Sequence, residues 1–271
     1  MRPISLAHLT FVNLPPPDMI NLAADAGFAS VGLRLIAVTP TTPGYPLMDD
    51  PDMMRDTLAA MRATGVTVND IEFVRMTPEF DVAELDPFLA AGAELGAKHI
   101  VTAPYDPDIN RLADNLAQFA DNAARFNMSP VLEFFPWTNV PNLNTALDIV
   151  TRTHNPQIGV LLDTLHFDRS ASCLSDISNA EQSRFPFIHL CDAMVMPEYS
   201  NETLLHTARE ARLIPGQGQI RLGDILAQLP TEIPIALEIP MRAMPGPENK
   251  IYLAKMMLAA TRVILAEHPG Q

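Results

Sequence analysis

The sequence predicts a single-domain α/β protein, a (β/α)8 TIM barrel spanning residues 1–271. Three observations carry that prediction. Apolar, β-branched runs of strand length recur eight times, and amphipathic helix-like stretches lie between them. The interval from one strand to the next is about thirty residues through most of the chain, as eight βα units in a roughly 250-residue barrel require. A doubly wound sheet would share the alternation, but no glycine-rich phosphate fingerprint follows the first strand.

The elements follow in order. Strand one reads as 4–9 and leads to MINLAADAG, a helical stretch closed by Gly27. Strand two, 30–35, is followed by the long connection VTPTTPGYPLMDDP and then by DMMRDTLAAMRATG, closed by Gly65. Strand three, 66–73, precedes ELDPFLAAGAELG, and strand four, 97–103, precedes INRLADNLAQFADNAARF. Strand five, 130–135, feeds LNTALDIVTRT, and strands six and seven fall at 158–163 and 186–191. LGDILAQL precedes strand eight, 233–239, and IYLAKMMLAATRVILAE ends the pattern. Residues 192–219 depart from the period. Their polar residues, Pro215 and the Gly216/Gly218 pair read as a long active-site loop insertion that closes over the barrel mouth.

Composition narrows the function classes. A chain 48% hydrophobic and 18% charged has enough apolar residues to fill a large core. No apolar stretch reaches about 18 residues, and MRPISLAHLT lacks a basic region followed by a hydrophobic segment, so a cytoplasmic protein is expected. Two cysteines, Cys173 and Cys191, are too few for a disulfide framework. A net charge of −14, with no dense Lys/Arg cluster, argues against nucleic acid and anionic membrane as partners. Most of the methionines sit in apolar contexts such as KMMLAATRVIL and read as core filling.

Four residues close strands five to eight: Glu133 in VLEFF, Asp163 in GVLLDT, His189 in FPFIHLCD and Glu238 in PIALEI. Taken singly, each acid reads as readily as a helix cap or an ion-pair partner, and the histidine as a hydrogen-bonded core residue. Together they converge on one barrel mouth, where three carboxylates without a cation are costly. The set predicts one divalent metal ion, left with about one excess negative charge and with open positions for water or substrate oxygens. Oxygen-rich ligation favours Mn, Mg or Co, and affinity order also admits Zn.

Other residues are expected around that centre. His166, three residues after Asp163, stands where it can hydrogen-bond a substrate oxygen or move a proton, against the plainer reading of a capping or packing histidine. Asp192, three residues after His189, suits orienting an imidazole or holding a substrate hydroxyl, or is a solvated loop acid. Arg34, Arg75, Arg209 and Arg212 fall on the mouth side, where an arginine grips an anion or polarises a carbonyl, or pairs with a surface acid. Glu72 and His8 also face the mouth, with no partner visible in the sequence. Trp137, the only tryptophan, joins Phe135 either as an apolar wall for a ring or sugar face or as core.

The chain resembles the xylose-isomerase-like barrel superfamily, the group of sugar phosphate isomerases and epimerases, ketose 3-epimerases, hydroxypyruvate isomerases, inosose dehydratases and 3-dehydroshikimate dehydratases. The resemblance spans nearly the whole chain. It rests on the LEFFP glutamate, the DTLHF aspartate and histidine, the IHLCD histidine and aspartate, the run from Arg212 to Gly218, and ALEIP. It implies a divalent metal on Glu133, Asp163, His189 and Glu238, with His166 and Arg212 touching substrate. Related barrels often dimerise through mouth loops, so a homo-oligomer is compatible with the resemblance. Two departures matter. Ketose 3-epimerases commonly carry a further Glu after the strand-five ligand, where this chain runs FFPWTNVPN, and the extra histidines of the DNA-repair endonuclease branch are missing.

The favoured expectation is a metal-dependent isomerase or epimerase that moves a proton next to the carbonyl of a small keto-sugar or related polyhydroxy ketone, with Glu133, Glu238 and His166 as catalytic groups. Arg212, Asp192, Arg34, Arg75 and Trp137 are the expected substrate contacts. A dehydratase of 3-dehydroshikimate or inosose type would use the same site, and a non-catalytic sugar-binding barrel is the third class.

Overall fold

Eight short parallel strands close on themselves in chain order, each hydrogen-bonded to the next and β8 back to β1. The computed structural model describes residues 2–39, 41–242, 247–268 and 270. The strands are β1 Ile4–Leu6, β2 Ser30–Arg34, β3 Thr67–Met76, β4 His99–Pro104, β5 Ser129–Glu133, β6 Gly159–Asp163, β7 Ile188–Leu190 and β8 Ile235–Leu237. The helices are α1 Pro16–Ala26, α2 Pro51–Thr64, α3 Asp86–Glu94, α4 Ile109–Ala124, α5 Leu143–Arg152, α6 Thr164–Asp168, α7 Leu174–Asn179, α8 Asn201–Glu210, α9 Leu222–Leu226 and α10 Pro247–Glu267. This is the (β/α)8 TIM barrel that the spacing of apolar runs predicts.

The alternation of side chains along each strand divides the apolar residues into two bodies. Outward-facing residues such as Leu33, Ile71, Leu132, Leu162, Ile188 and Leu237 join the buried faces of the helices in one large core. Inward-facing Val101, Ala103, Val131, Leu161, Phe187 and Ala236 fill the barrel axis with Phe73 and Phe135. The helices form where the sequence supplies one apolar stripe and a cap. In α4, Leu112, Leu116, Phe119 and Ala123 are buried at helical spacing, while the Asp108 carboxylate accepts from the main-chain N–H groups of Asn110 and Arg111. Such a cap is worth about 1 kcal/mol. Helix α1 ends on Gly27, whose φ of 93° a side chain would disfavour.

Strand ends differ from the sequence prediction by a few residues. The chain leaves β1 at Ala7 for a 3₁₀ turn, His8–Phe11, so strand one does not reach residue 9. Thr10 holds that turn across the barrel seam, its hydroxyl donating to the Leu237 carbonyl and accepting from Ile239 N–H. β3 runs on to Met76, with register breaks that absorb the extra length against β2 and β4.

Residues 192–219 are not a loop throughout, because α8 occupies their centre. Ser200 caps Thr203 N–H at 3.2 Å, and Leu204 and Ala208 are the two residues of α8 that bury. Two buried apolar residues in ten leave too faint a stripe to stand out in the sequence. Among the described residues, no helix is long and apolar enough to cross a membrane.

Candidate metal centre

Each of the four strand-end residues stands two positions beyond an inward-facing apolar residue: Glu133 after Val131, Asp163 after Leu161, His189 after Phe187 and Glu238 after Ala236. A period of two therefore aims all four side chains along the barrel axis toward the same mouth. Register fixes their level, with Asp163 opposite His189, His189 opposite Ala236 and Glu133 opposite Leu161. One ligand atom from each residue lies within 4.8 Å of those of the others, and all four residues are buried. His189 Nδ1 faces Glu238 Oε2 at 3.5 Å, Glu133 Oε1 at 3.9 Å and Asp163 Oδ2 at 4.0 Å.

The donor set suits a divalent cation. Both ring nitrogens of His189 are buried without a hydrogen-bond partner among the described residues, although Nδ1 faces three carboxylates. Arg212 enters from the chain after α8, its Nη1 2.5 Å from Asp163 Oδ2 and its Nη2 2.8 Å from Glu238 Oε2. A divalent ion and that guanidinium together would balance three carboxylates, so the excess negative charge read from the sequence finds its partner within the protein.

Asp163 divides its carboxylate. Oδ1 accepts from Leu165 and His166 N–H at 2.7 and 3.2 Å, capping α6, while Oδ2 faces Arg212 and His189. The capping role and the central role thus belong to different oxygens of one side chain.

The acids are electrically unequal. Burial, reinforced by the charge of Glu238, holds the Glu133 proton affinity well above the ordinary carboxylate range. Burial works the same way on Glu238, but His189 and Arg212 outweigh it and keep its carboxyl below that range. Burial opposes a charge on His189 too, yet the carboxylates, Glu238 foremost, push its pKa up to about 10. His166 is brought down to about 4, chiefly by burial.

A cavity of about 440 Å³ opens above the four residues. Glu133, Glu238, His166 and Arg212 form its base, and Phe73, Tyr105, Phe135 and Trp137 form an aromatic wall. Phe135 stacks on Trp137 at 5.1 Å, and His166 meets both edge-on. His166 Nε2 lies 3.7 Å from Glu133 Oε1. Thr39, Thr41 and Thr42 of the connection after β2 and Ala208, Arg209 and Glu210 of α8 close the rim. The two long connections therefore meet over one mouth.

The structure brings Arg34 and Trp137 to this cavity and leaves Asp192 and Arg75 outside its lining. Asp192 spends both oxygens on main-chain N–H groups, those of Ala193, Gly216, Gly218 and Ile220, at 2.8–3.0 Å. Gly218 is required there, since a Cβ would stand 2.3 Å from Asp192 Oδ1. Asp192 is thus the anchor of the segment before α9. Arg75 is exposed, with its guanidinium 4.5 Å over the Tyr105 ring, and steadies the wall from behind.

Glu72 and His8 meet at Arg34. Arg34 Nη2 is 3.2 Å from Glu72 Oε1, and the Arg34 main-chain N–H donates to His8 Nδ1 at 2.7 Å. Register across β2 and β3 makes the ion pair, and no local motif signals it. Phe73 on β3 and Tyr105 just after β4 join the cavity wall without a signal in the sequence, because aromatic residues in or beside an apolar run read as core.

A model of the xylose isomerase-like TIM barrel family matches residues 20–259. Inosose isomerase of Bacillus licheniformis is 26% identical over 145 residues, 50% of each chain, so the chain spans about half the length of the curated relatives it matches. Among solved structures, the IolI protein with a binding zinc atom superposes with a TM-score of 0.76 at 19% identity, covering 99% of this chain and 98% of that one. The probable 3-DHS dehydratase AsbF of Bacillus anthracis, involved in petrobactin synthesis, gives 0.75 at 14% identity over 96% and 99%. These structural matches show a shared fold.

Proposed function

The chain belongs to the xylose isomerase-like TIM barrel family, and from that premise we propose that it is a divalent-metal-dependent isomerase or epimerase acting next to the carbonyl of a small polyhydroxy ketone. The convergence of Glu133, Asp163, His189 and Glu238 at the base of a cavity of sugar size carries the reading. Similarity to an inosose isomerase supports the substrate class. Held by those four residues, a divalent ion supplies Lewis-acid polarisation of a carbonyl and an adjacent hydroxyl.

The protein's own groups divide the remaining work. Arg212 grips Asp163 and Glu238, so those carboxylates stay ionised and fixed in direction. Glu133 faces two imidazoles and, among the described residues, pairs directly with no guanidinium, which leaves it the carboxylate best placed to accept the α-proton. His166, beside Glu133 Oε1 and against the aromatic wall, holds a substrate oxygen and carries a proton to or from it. Delivery of a solvent proton to the opposite face of the same carbon, while Glu133 keeps the one it took, gives an epimer, since Glu238 is ionised beside Arg212 and has no proton to give. Returning the Glu133 proton to the neighbouring carbon gives an isomer. Phe135 and Trp137 exclude water and seat the sugar or ring face, and Arg209 and Arg212 line the cavity.

A second reading follows from His166. A β-hydroxyl within its reach could leave with that proton, which makes the site a dehydratase, as the likeness to the probable 3-DHS dehydratase also suggests. One experiment separates the two. Protein loaded with Mn²⁺ is incubated in D₂O with keto-sugars, inososes and 3-dehydroshikimate. Solvent deuterium in a product isomeric with its substrate is the expected result, whereas loss of water from 3-dehydroshikimate would replace isomerase with lyase. Turnover that survives complete removal of the metal would overturn both, and absence of any turnover alongside retained sugar binding would leave a binding barrel.

A further inference from the structure

The half of the mouth opposite the ligands carries a buried ion pair that the chemistry above does not use. Arg34 closes β2 and Glu72 lies beside it on β3, in register, with 4% and 2% of their surfaces exposed. Their Nη2–Oε1 contact of 3.2 Å is an ion pair without hydrogen-bond geometry, so among the described residues Arg34 Nε and Glu72 Oε1 are both buried and make no hydrogen bond. Buried polar atoms in folded proteins are nearly always satisfied, so a donor and an acceptor left open in one ion pair mark a place for an exogenous polar group. Arg34 lines the same cavity as Glu133, His166 and Glu238, and Glu72, outside that lining, backs it through the ion pair.

The pair constrains what that group is. A hydroxyl both donates and accepts, and one hydroxyl can take a hydrogen bond from Arg34 while giving one to Glu72. A carboxylate or phosphate has no proton to give and would confront the Glu72 charge. Arg34 is therefore not a free cation for an acidic substrate, and of the readings open to a mouth arginine it follows the ion pair, with a buried acid in place of a surface one. The other cavity arginines offer little more: Arg212 is engaged by Asp163 and Glu238, and Arg209 shares the rim with Glu210.

We propose that Arg34 and Glu72 form a hydroxyl-reading subsite that selects a neutral polyol ketone over a keto acid. This rests on the function proposed above and deepens it by naming the substrate class. His8 is a positioning residue for the subsite, since it accepts the Arg34 main-chain N–H and fixes where β2 ends.

The test is titration calorimetry on the Mn²⁺-loaded protein with myo-inositol, its monodeoxy analogues and quinate as probes. Wild type is expected to bind myo-inositol, to lose about tenfold in affinity for at least one monodeoxy analogue, and to bind quinate more weakly. Glu72→Gln should abolish that one discrimination, bringing the two affinities within about twofold, with Mn²⁺ affinity unchanged. Equal discrimination in Glu72→Gln and wild type, or tighter binding of quinate than of myo-inositol, overturns the subsite. So does a failure of wild type to bind myo-inositol. If Glu72→Gln does not fold, the quinate comparison in wild type decides. Turnover in D₂O is a separate readout, so polyol discrimination without proton exchange would sink the proposed reaction and leave the subsite standing.

Discussion

Arg212 reaches Asp163 across 49 positions of sequence and places Nη1 2.5 Å from its Oδ2, with neither side chain in contact with solvent. A buried guanidinium is tolerated only where its charge and its donors are all used. Nε donates to the Ala208 carbonyl, Nη1 also meets Cys191 Sγ and Nη2 meets Glu238, so the fork is filled. Arg212→Met should cost about 3–5 kcal/mol of stability by leaving two carboxylates uncompensated. Arg212→Lys should keep much of the fold and lose at least about tenfold in kcat/KM, because an ammonium cannot span both acids. Chemical denaturation and steady-state kinetics check the pair.

Metal should stabilise the folded chain in proportion to its affinity. At a free Mn²⁺ concentration of about 100 Kd the gain is about 2.7 kcal/mol, visible as a raised Tm that chelator reverses. Asp163→Asn and Glu238→Gln should each weaken Mn²⁺ binding by about tenfold or more. Elemental analysis that finds no divalent ion, together with no Tm response to added Mn²⁺, is the contrary result.

Glu133→Gln and His166→Gln should separate chemistry from assembly. Glu133→Gln is expected to lower kcat by about 10²–10⁴-fold, the range for a lost general base. His166→Gln should leave Mn²⁺ affinity within a few-fold of wild type while lowering kcat/KM. An equal loss of metal and activity in His166→Gln would place that histidine among the ligands instead.

Asp192 should behave as a fold residue. Four main-chain N–H groups lose an acceptor in Asp192→Ala, at a cost of several kcal/mol on the scale of about 1–3 kcal/mol for each buried group left unpaired. Asp192→Asn keeps one acceptor oxygen and should fall between that variant and wild type in Tm, with KM nearly unchanged below its melting range. A large rise in KM without a change in Tm would return Asp192 to the substrate.

His8 gives the chain an acid-labile element away from the ligands. Burial, with Arg34 nearby, holds it neutral and brings its pKa down to about 4, against the hydrogen bond to the Leu14 carbonyl. An unfolded chain protonates the same residue near 6.5. The stability that comes from keeping it neutral is complete above about pH 6.5 and is lost as pH falls toward 4, at up to about 1.4 kcal/mol per unit. Denaturation midpoints measured from pH 8 to 4 should fall less steeply in His8→Gln than in wild type. Parallel curves would remove His8 from the account.

How much of this was legible depended on whether the signal was local. Val131 before Glu133 and Leu161 before Asp163 place a polar residue two steps beyond an inward apolar one, and that period is written in consecutive residues. The Arg34–Glu72 pair is made by register between strands whose side chains alternate independently, so neither residue announces the other. The anchoring role of Asp192 is not legible in sequence, because a carboxylate that anchors a segment and one that binds a ligand look alike until the N–H groups of Gly216, Gly218 and Ile220 are seen around it. Helix α8 stayed hidden because it leans on the mouth with Leu204 and Ala208 alone.

Glu133, Asp163 and His189 belong to β5, β6 and β7 and Glu238 directly follows β8, whereas Arg34, Phe73 and Tyr105 come from β2 to β4 and the chain just after it. On the function proposed above, proton transfer and hydroxyl reading thereby fall to different stretches of one chain. On that reading, exchange of the segments around Arg34, Glu72 and Tyr105 changes which substrate is held and leaves Glu133, Asp163, His189 and Glu238 in place. A library confined to those segments is the direct probe of that division.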